Sequence, residues 1–196
     1  VDIPSRVNVK GKLHGFWGPM SNHFGEQVLG AVLTSGSVSA VIEEMTPESF
    51  QTLHDNPEAE YAIMDGAPGQ WRGTPRLYLD DRSRIIPLEE ADDDIEYIRL
   101  GLMPTRANCE GLVVALGGMS GKRLDGRPWR MRACHIWDGS DVIEVVAFGS
   151  MSSQAFGDLQ AGDRLRVIAG ELGWRAGLSQ LRINSRSTRI EVWKGD

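Results

Sequence analysis

Between residues 109 and 193 the chain alternates short apolar runs with turn residues, and only one interruption has helical character. CEGLVVAL (109–116) reads as a strand, and the Gly-rich basic loop GGMSGKRLDGRP (117–128) follows with Asp125-Gly126 as a hairpin signal. WRMRACHIWDG (129–139) then places Trp129, Met131, Ala133 and His135 on one face and Arg130, Arg132 and Cys134 on the other, the period of a half-buried strand. After the turn at Asp138-Gly139, SDVIEVVAFG (140–149) returns as a third strand, MSSQAFGDL (151–159) supplies one or two helical turns starting at Ser152 or Ser153, and AGDRLRVIAGELGW (161–174) is a fourth strand entered through Gly162-Asp163. LSQLRINSRSTRIEVW (178–193) is the fifth, bent or broken near Asn184 and Ser185.

Three strands, a short helix and two more strands is the order of the oligonucleotide-binding (OB) fold, a five-stranded Greek-key barrel. The N-terminal half fits the same template: strands at 6–17, 27–36 and 37–45, a helix at 46–55 with Thr46 as N-cap and Pro47 in its first turn, and strands at 59–66 and 76–89. The expectation is an all-β chain of two tandem five-stranded OB-fold barrels, each with a short helix. The N-terminal OB-fold would occupy 1–90, a short helical and acidic linker 91–106, and the C-terminal OB-fold 107–196. In the connecting stretch EEADDDIEYIRLGLMPTRAN, Ile95, Ile98 and Leu102 predict a short amphipathic helix ended by Pro104.

The halves differ in charge. Residues 1–103 carry 8 Lys+Arg against 17 Asp+Glu, a balance of -9, and residues 104–196 carry 13 against 10, a balance of +3, within a net charge of -6. Cys109 and Cys134 lie in separate strands, which argues against both a disulfide framework and a thiolate zinc site. The histidines lack ligand spacing, so no metal and no cofactor is expected. The sequence holds no G-x-S-x-G, no phosphate-cradling G-x-x-x-x-G-K-[ST] and no Cys/His pair proposing a nucleophile, and the chain is expected not to be an enzyme. No apolar run approaches the ~20 residues that span a bilayer, and VDIPSRVNVK has no signal-peptide core. The expected setting is cytoplasmic, associated with the nucleoid and away from membranes. The start at Val1 rather than Met is what a piece of a longer chain is expected to show.

An OB-fold ligand crosses strands two and three and is clasped by the loops joining strands one to two and four to five. In the C-terminal half these loops bring Lys122, Arg123, Arg127 and Trp129, then Trp174 and Arg175; in the N-terminal half they bring Phe16, Trp17, His23 and Phe24, then Trp71 and Arg72. Single-stranded nucleic acid exposes unstacked bases and a polyanionic backbone, so aromatic faces beside guanidinium groups suit it. Trp71 and Trp174, flanked by Gly and Arg, are expected to be exposed platforms. Trp137 and Trp193 lie inside strand patterns and are expected to pack; Phe156 is expected in the core; Phe148 could face either way. Arg130 with Arg132, and Arg164 with Arg166, are spaced to share strand faces, and Arg182 extends the basic set; solvated strand faces would produce the same spacing.

The C-terminal half resembles the OB-folds of archaeal replication protein A, on EGLVVAL (110–116), CHIWDGSDVIEVVAFG (134–149), AGDRLRVIAGEL (161–172) and GLSQLRINSRSTRIEVW (177–193). Asp138, Gly139, Phe148 and Gly149 look like that family's turn and strand-end positions. The resemblance implies non-catalytic binding of single-stranded DNA in replication, recombination or repair. The acidic N-terminal half departs from it, and could instead dock replication or repair proteins. An OB-fold interaction adaptor and an RNA- or tRNA-binding module are the alternative expectations.

Overall fold

The computed structural model describes residues 6–21, 25–56, 59–175, 178–183 and 187–195, with Thr52 described by its backbone alone. The chain divides into two compact units between Thr105 and Arg106. In the first, β1 (Val7–Ser21), β2 (Gln27–Ser35) and β3 (Val38–Glu43) form an antiparallel meander. Helix α1 (Pro47–His54) follows, then β4 (Glu60–Trp71), β5 (Thr74–Tyr78) and β6 (Arg84–Pro87). β5 runs parallel to β3 and antiparallel to β4, and β4 pairs back onto β1, which closes the five-stranded ring β1-β2-β3-β5-β4. Inward residues alternate along the strands and fill it with Leu13, Leu33, Ile42, Ile63 and Leu77, joined by Leu53 of α1. The helix starts where the capping chemistry predicts: the Thr46 hydroxyl accepts the Ser49 N–H at 3.1 Å, and Pro47 stands in the first turn.

The second unit repeats this ring with β7 (Arg106–Lys122), β8 (Pro128–Trp137), β9 (Val142–Phe148), α2 (Ser150–Phe156), β10 (Arg164–Arg175), β11 (Leu178–Arg182) and β12 (Arg189–Trp193). β11 is parallel to β9, and β10 pairs with both β11 and β7. Phe156 and Leu159 join Val113, Ile136, Val145, Leu165 and Leu181 in its core. Both units therefore have the OB strand order, with the helix between the third and fourth ring strands.

The repeat extends to individual residues. In both units a non-glycine residue with left-handed backbone, Asp65 (φ 55°) or Ala169 (φ 56°), makes a bulge in the fourth ring strand. The N–H of Asp65 donates to Asn8 Oδ1 (3.0 Å) and its carbonyl accepts Arg6 Nη1 (2.8 Å); the N–H of Ala169 donates to Asn108 Oδ1 (2.8 Å) and its carbonyl accepts Arg106 Nη1 (3.0 Å). Three residues beyond each Asn, a Cβ on Gly11 would run into the Thr34 carbonyl, and one on Gly111 into the Trp137 carbonyl. The pattern Arg-x-Asn-x-x-Gly thus does the same work twice. Asn8→Ala and Asn108→Ala should each lower stability by ~1 kcal/mol through loss of the hydrogen bond at the bulge. Urea denaturation reads this, and unchanged midpoints in both variants would refute it.

Several expectations need correction. The segment after β6 forms no amphipathic α-helix: it makes single 3-10 turns at Leu88–Glu90 and Leu100–Leu102, with a turn closed by the Ile95 N–H donating to the Asp92 carbonyl and irregular chain between them. Ile98, Leu100 and Met103 pack on the N-terminal core, so tertiary contacts rather than helical periodicity set their spacing. The fifth strand predicted at 76–89 is two strands, β5 and β6, whereas the C-terminal one is divided into β11 and β12 on either side of the break expected near Asn184 and Ser185, two residues outside the described set; β6 and β12 lie along the outside of β4 and β10. α2 starts at Ser150, ahead of Ser152 and Ser153; the Ser152 hydroxyl donates to the Gly149 carbonyl at 2.6 Å. Cys109 and Cys134 are buried as free thiols, both pushed up to about 12 mainly by burial. Among the described residues no helix is long and apolar enough to cross a membrane.

Candidate functional site

Directly opposed residues on neighbouring strands share a face, so the pairing registers fix which side chains leave each barrel outward. In the N-terminal barrel Ile42 and Leu77 point inward, while Val41, Glu43, Arg76 and Tyr78 lie on the outer face of β3 and β5. β4 continues past the predicted strand end to Trp71, which pairs with Thr74 across a two-residue loop of Arg72 (φ 49°) and Gly73 (φ 83°). Both loop residues have positive φ, the mark of a tight I′-type hairpin turn. On the outer face at this tip Trp71 is 42% exposed, with the Arg76 guanidinium 5.6 Å and the Arg72 guanidinium 5.8 Å from its ring centroid. Arg76 is ion-paired to Glu43, and its Nε–H has no acceptor among the described residues.

Across the same face Trp17 of β1 pairs with Gly30 of β2, where an added Cβ would strike the indole and the Ile42 carbonyl. The missing side chain leaves room for the half-buried Trp17 indole over Gly30. Phe16 instead packs edge-on against Phe50, their centroids 5.6 Å apart. Phe24 and His23 lie outside the described residues.

In the C-terminal barrel, Trp129, Met131 and Ala133 of β8 face outward beside Val146 of β9, and form a small apolar floor. Phe148, paired with Met131, is exposed on that face. Beside the floor, Arg182 donates through Nε to Gln180 Oε1 (3.4 Å), Gln180 donates to Glu144 Oε2 (2.6 Å), and Arg175 Nη1 lies 3.9 Å from Glu144 Oε1. Glu144 therefore offsets part of the charge that Arg175 brings, and Gln180 links it to Arg182. The long β7–β8 hairpin extends beyond this floor and carries Lys122, Arg123 and Arg127 exposed near its tip, closed by the Arg123 N–H donating to the Arg127 carbonyl at 2.9 Å. Arg127 has Asp125 at 3.6 Å; Lys122 and Arg123 have no acidic partner among the described residues.

Three sequence-based expectations are overturned, those for Trp174, Trp137 and Trp193. Trp174 is 6% exposed and belongs to the interior. Counted from the hairpin tips, Trp71 matches Arg175, and Trp174 matches the buried Gln70; the two Trp-Arg pairs sit one residue out of step, and one step along a strand turns a side chain to the opposite face. Arg130 and Arg132 share the face opposite Trp129, as expected, which also turns them away from Phe148. Arg130 is held there by the Gly149 carbonyl (3.3 Å) and Ser153 Oγ (2.6 Å), and Arg132 is half-buried. Trp137 and Trp193, expected to pack, are each 44% exposed. Arg76, Gly30 and Glu144 were not singled out in the sequence, although Gly30 inside an apolar strand is the usual mark of a close approach.

No protein-family model matches the sequence, and no curated protein does. Among solved structures, the chain is similar to a replication protein A heterotrimer bound to single-stranded DNA, at 13% identity and a TM-score of 0.36 over 96% of this chain. It spans about half of that chain (49%). It is also similar to a murine DNA-binding protein bound with double-stranded DNA (13% identity, TM-score 0.35, 97% of both chains). The OB domain of a Thermoplasma acidophilum protein matches at 18% identity and a TM-score of 0.37, over 50% of this chain and 83% of that one.

Proposed function

We propose that the chain binds single-stranded DNA without catalysis, on the outer faces of its two barrels, in replication, recombination or repair. The observation that carries this reading is Trp71: a large apolar ring standing in water at a hairpin tip, with Arg72 and Arg76 against it. An indole so placed offers an unpaired base a stacking surface worth ~1–3 kcal/mol, and the Arg72 guanidinium offers its phosphates a charge. The acidic N-terminal half thus supplies the clearer base platform, and the C-terminal half contributes the apolar floor with Phe148 and the basic hairpin tip.

Titration with oligo(dT), oligo(rU) and duplex DNA, followed by tryptophan fluorescence, tests the reading. Quenching by oligo(dT) in preference to the other two is expected, and no response to any of them overturns it. Binding should weaken with salt, and reversing Lys122 and Arg123 to Glu should flatten the log–log slope by ~1.4, that is ~0.7 for each lost phosphate contact. An unaltered slope removes the β7–β8 hairpin from the site.

A further inference from the structure

Five residues on five adjacent strands of the C-terminal barrel lie in one outward row: Val142 on β9, Trp137 on β8, Leu112 on β7, Arg164 on β10 and Trp193 on β12. The four apolar members are 39–57% exposed. The fold does not demand this. In the N-terminal barrel the matching row reads Ser39, Thr34, Lys12 and Glu60, and it is polar throughout: Thr34 Oγ1 bonds Ser39 Oγ at 3.0 Å and His14 Nε2 at 2.6 Å. One topology carries a hydrated row in one barrel and an apolar, aromatic row in the other. An exposed row in which Val142, Trp137 and Leu112 adjoin and Arg164 alone separates them from Trp193 marks a surface that something covers.

The charges beside the row are layered. Glu110 receives Arg164 (2.9 Å) and Arg166 (2.6 Å), and Glu191 receives Arg166 (3.1 Å) and Arg189 (2.6 Å). The acids lie underneath, their side chains 31% and 23% exposed, while Arg164, Arg166 and Arg189 are 64%, 42% and 74% exposed. The Arg166 guanidinium covers the Trp193 ring at 5.2 Å, and Glu110, Arg164 and Trp193 line a shallow depression of about 330 Å³. This surface therefore presents apolar rings bordered by outward cations. Leu112 and Val142 offer a base no stacking face and a phosphate no charge, so the row suits a protein surface that carries acids.

The chain itself supplies such a surface. Glu89, Glu90, Asp92, Asp93, Asp94 and Glu96 are all exposed, and none has a basic partner among the described residues; exposed Leu102 follows them. We infer that the row around Trp137 and Trp193 docks the acidic 89–96 segment of a second copy of this chain. The two patches differ and lie on different units, so the contact is head-to-tail and leaves one patch of each type open at the ends of an assembly.

Sedimentation velocity on the 196-residue chain, without nucleic acid, tests this independently of the DNA reading. Association that grows with protein concentration at low salt and reverts to monomer at high salt is expected. The variant Trp137→Ser/Trp193→Ser and the variant Asp92→Lys/Asp93→Lys/Asp94→Lys should each stay monomeric, with thermal melts showing both folded. Mixed together they should form a dimer that goes no further, because each keeps one intact patch. A wild-type chain that is monomeric throughout, or association that survives both variants, overturns the inference. So does loss of oligo(dT) affinity in the Trp137/Trp193 variant of a monomeric wild-type chain, which would make the row a nucleic-acid surface.

Discussion

Trp174→Ala will destabilise the C-terminal barrel by ~3–5 kcal/mol, the usual cost of truncating a large buried aromatic side chain. That is a large part of the ~5–15 kcal/mol available to a typical domain. The indole is 6% exposed on the inward side of β10, at the position that Gln70 holds in the other barrel. Urea denaturation should show the loss directly, and the fraction that remains folded should bind oligo(dT) with the wild-type affinity. A variant of normal stability and reduced affinity would return Trp174 to the binding face.

The opposite pattern is expected for Trp17→Ala/Trp71→Ala. If each ring stacks one base, affinity should fall by ~2–6 kcal/mol, or roughly 30-fold to more than ten-thousand-fold. The single change Trp71→Ala should alter stability by no more than ~0.5 kcal/mol, because the ring is a surface group. Trp17 is half-buried against Gly30 and should cost more of the fold, so the single variants separate the two contributions. Retention of full affinity in a folded Trp71→Ala chain would remove the observation on which the DNA-binding reading stands.

Much of the fold was legible along the chain. The turn residues at Asp125-Gly126, Asp138-Gly139 and Gly162-Asp163 lie where strands reverse or begin, and Thr46-Pro47 opens α1, because local backbone and capping preferences act within a few residues. The inward position of Trp174 was also within reach: Leu172 and Trp174 are two apart on β10, with Gly173 and Arg175 on the other face. Flanking Gly and Arg suggested exposure instead, and the strand's alternation prevails because it continues to the tip. The splitting of the N-terminal module's last strand, the 3-10 turns at 88–90 and 100–102, and the setting of Ile98 and Met103 in the core depend on contacts with distant strands and leave no local pattern to read.

The amino-acid order alone determined two modules of three strands, a helix and further strands, the placement of charge between them, and the aromatic and basic residues at their loops, since all of these follow from short-range periodicity and composition. Only the tertiary structure decided which of those aromatics meet solvent. Facing depends on strand register, and a shift of one residue between otherwise matching hairpins sends Trp71 outward and Trp174 into the core.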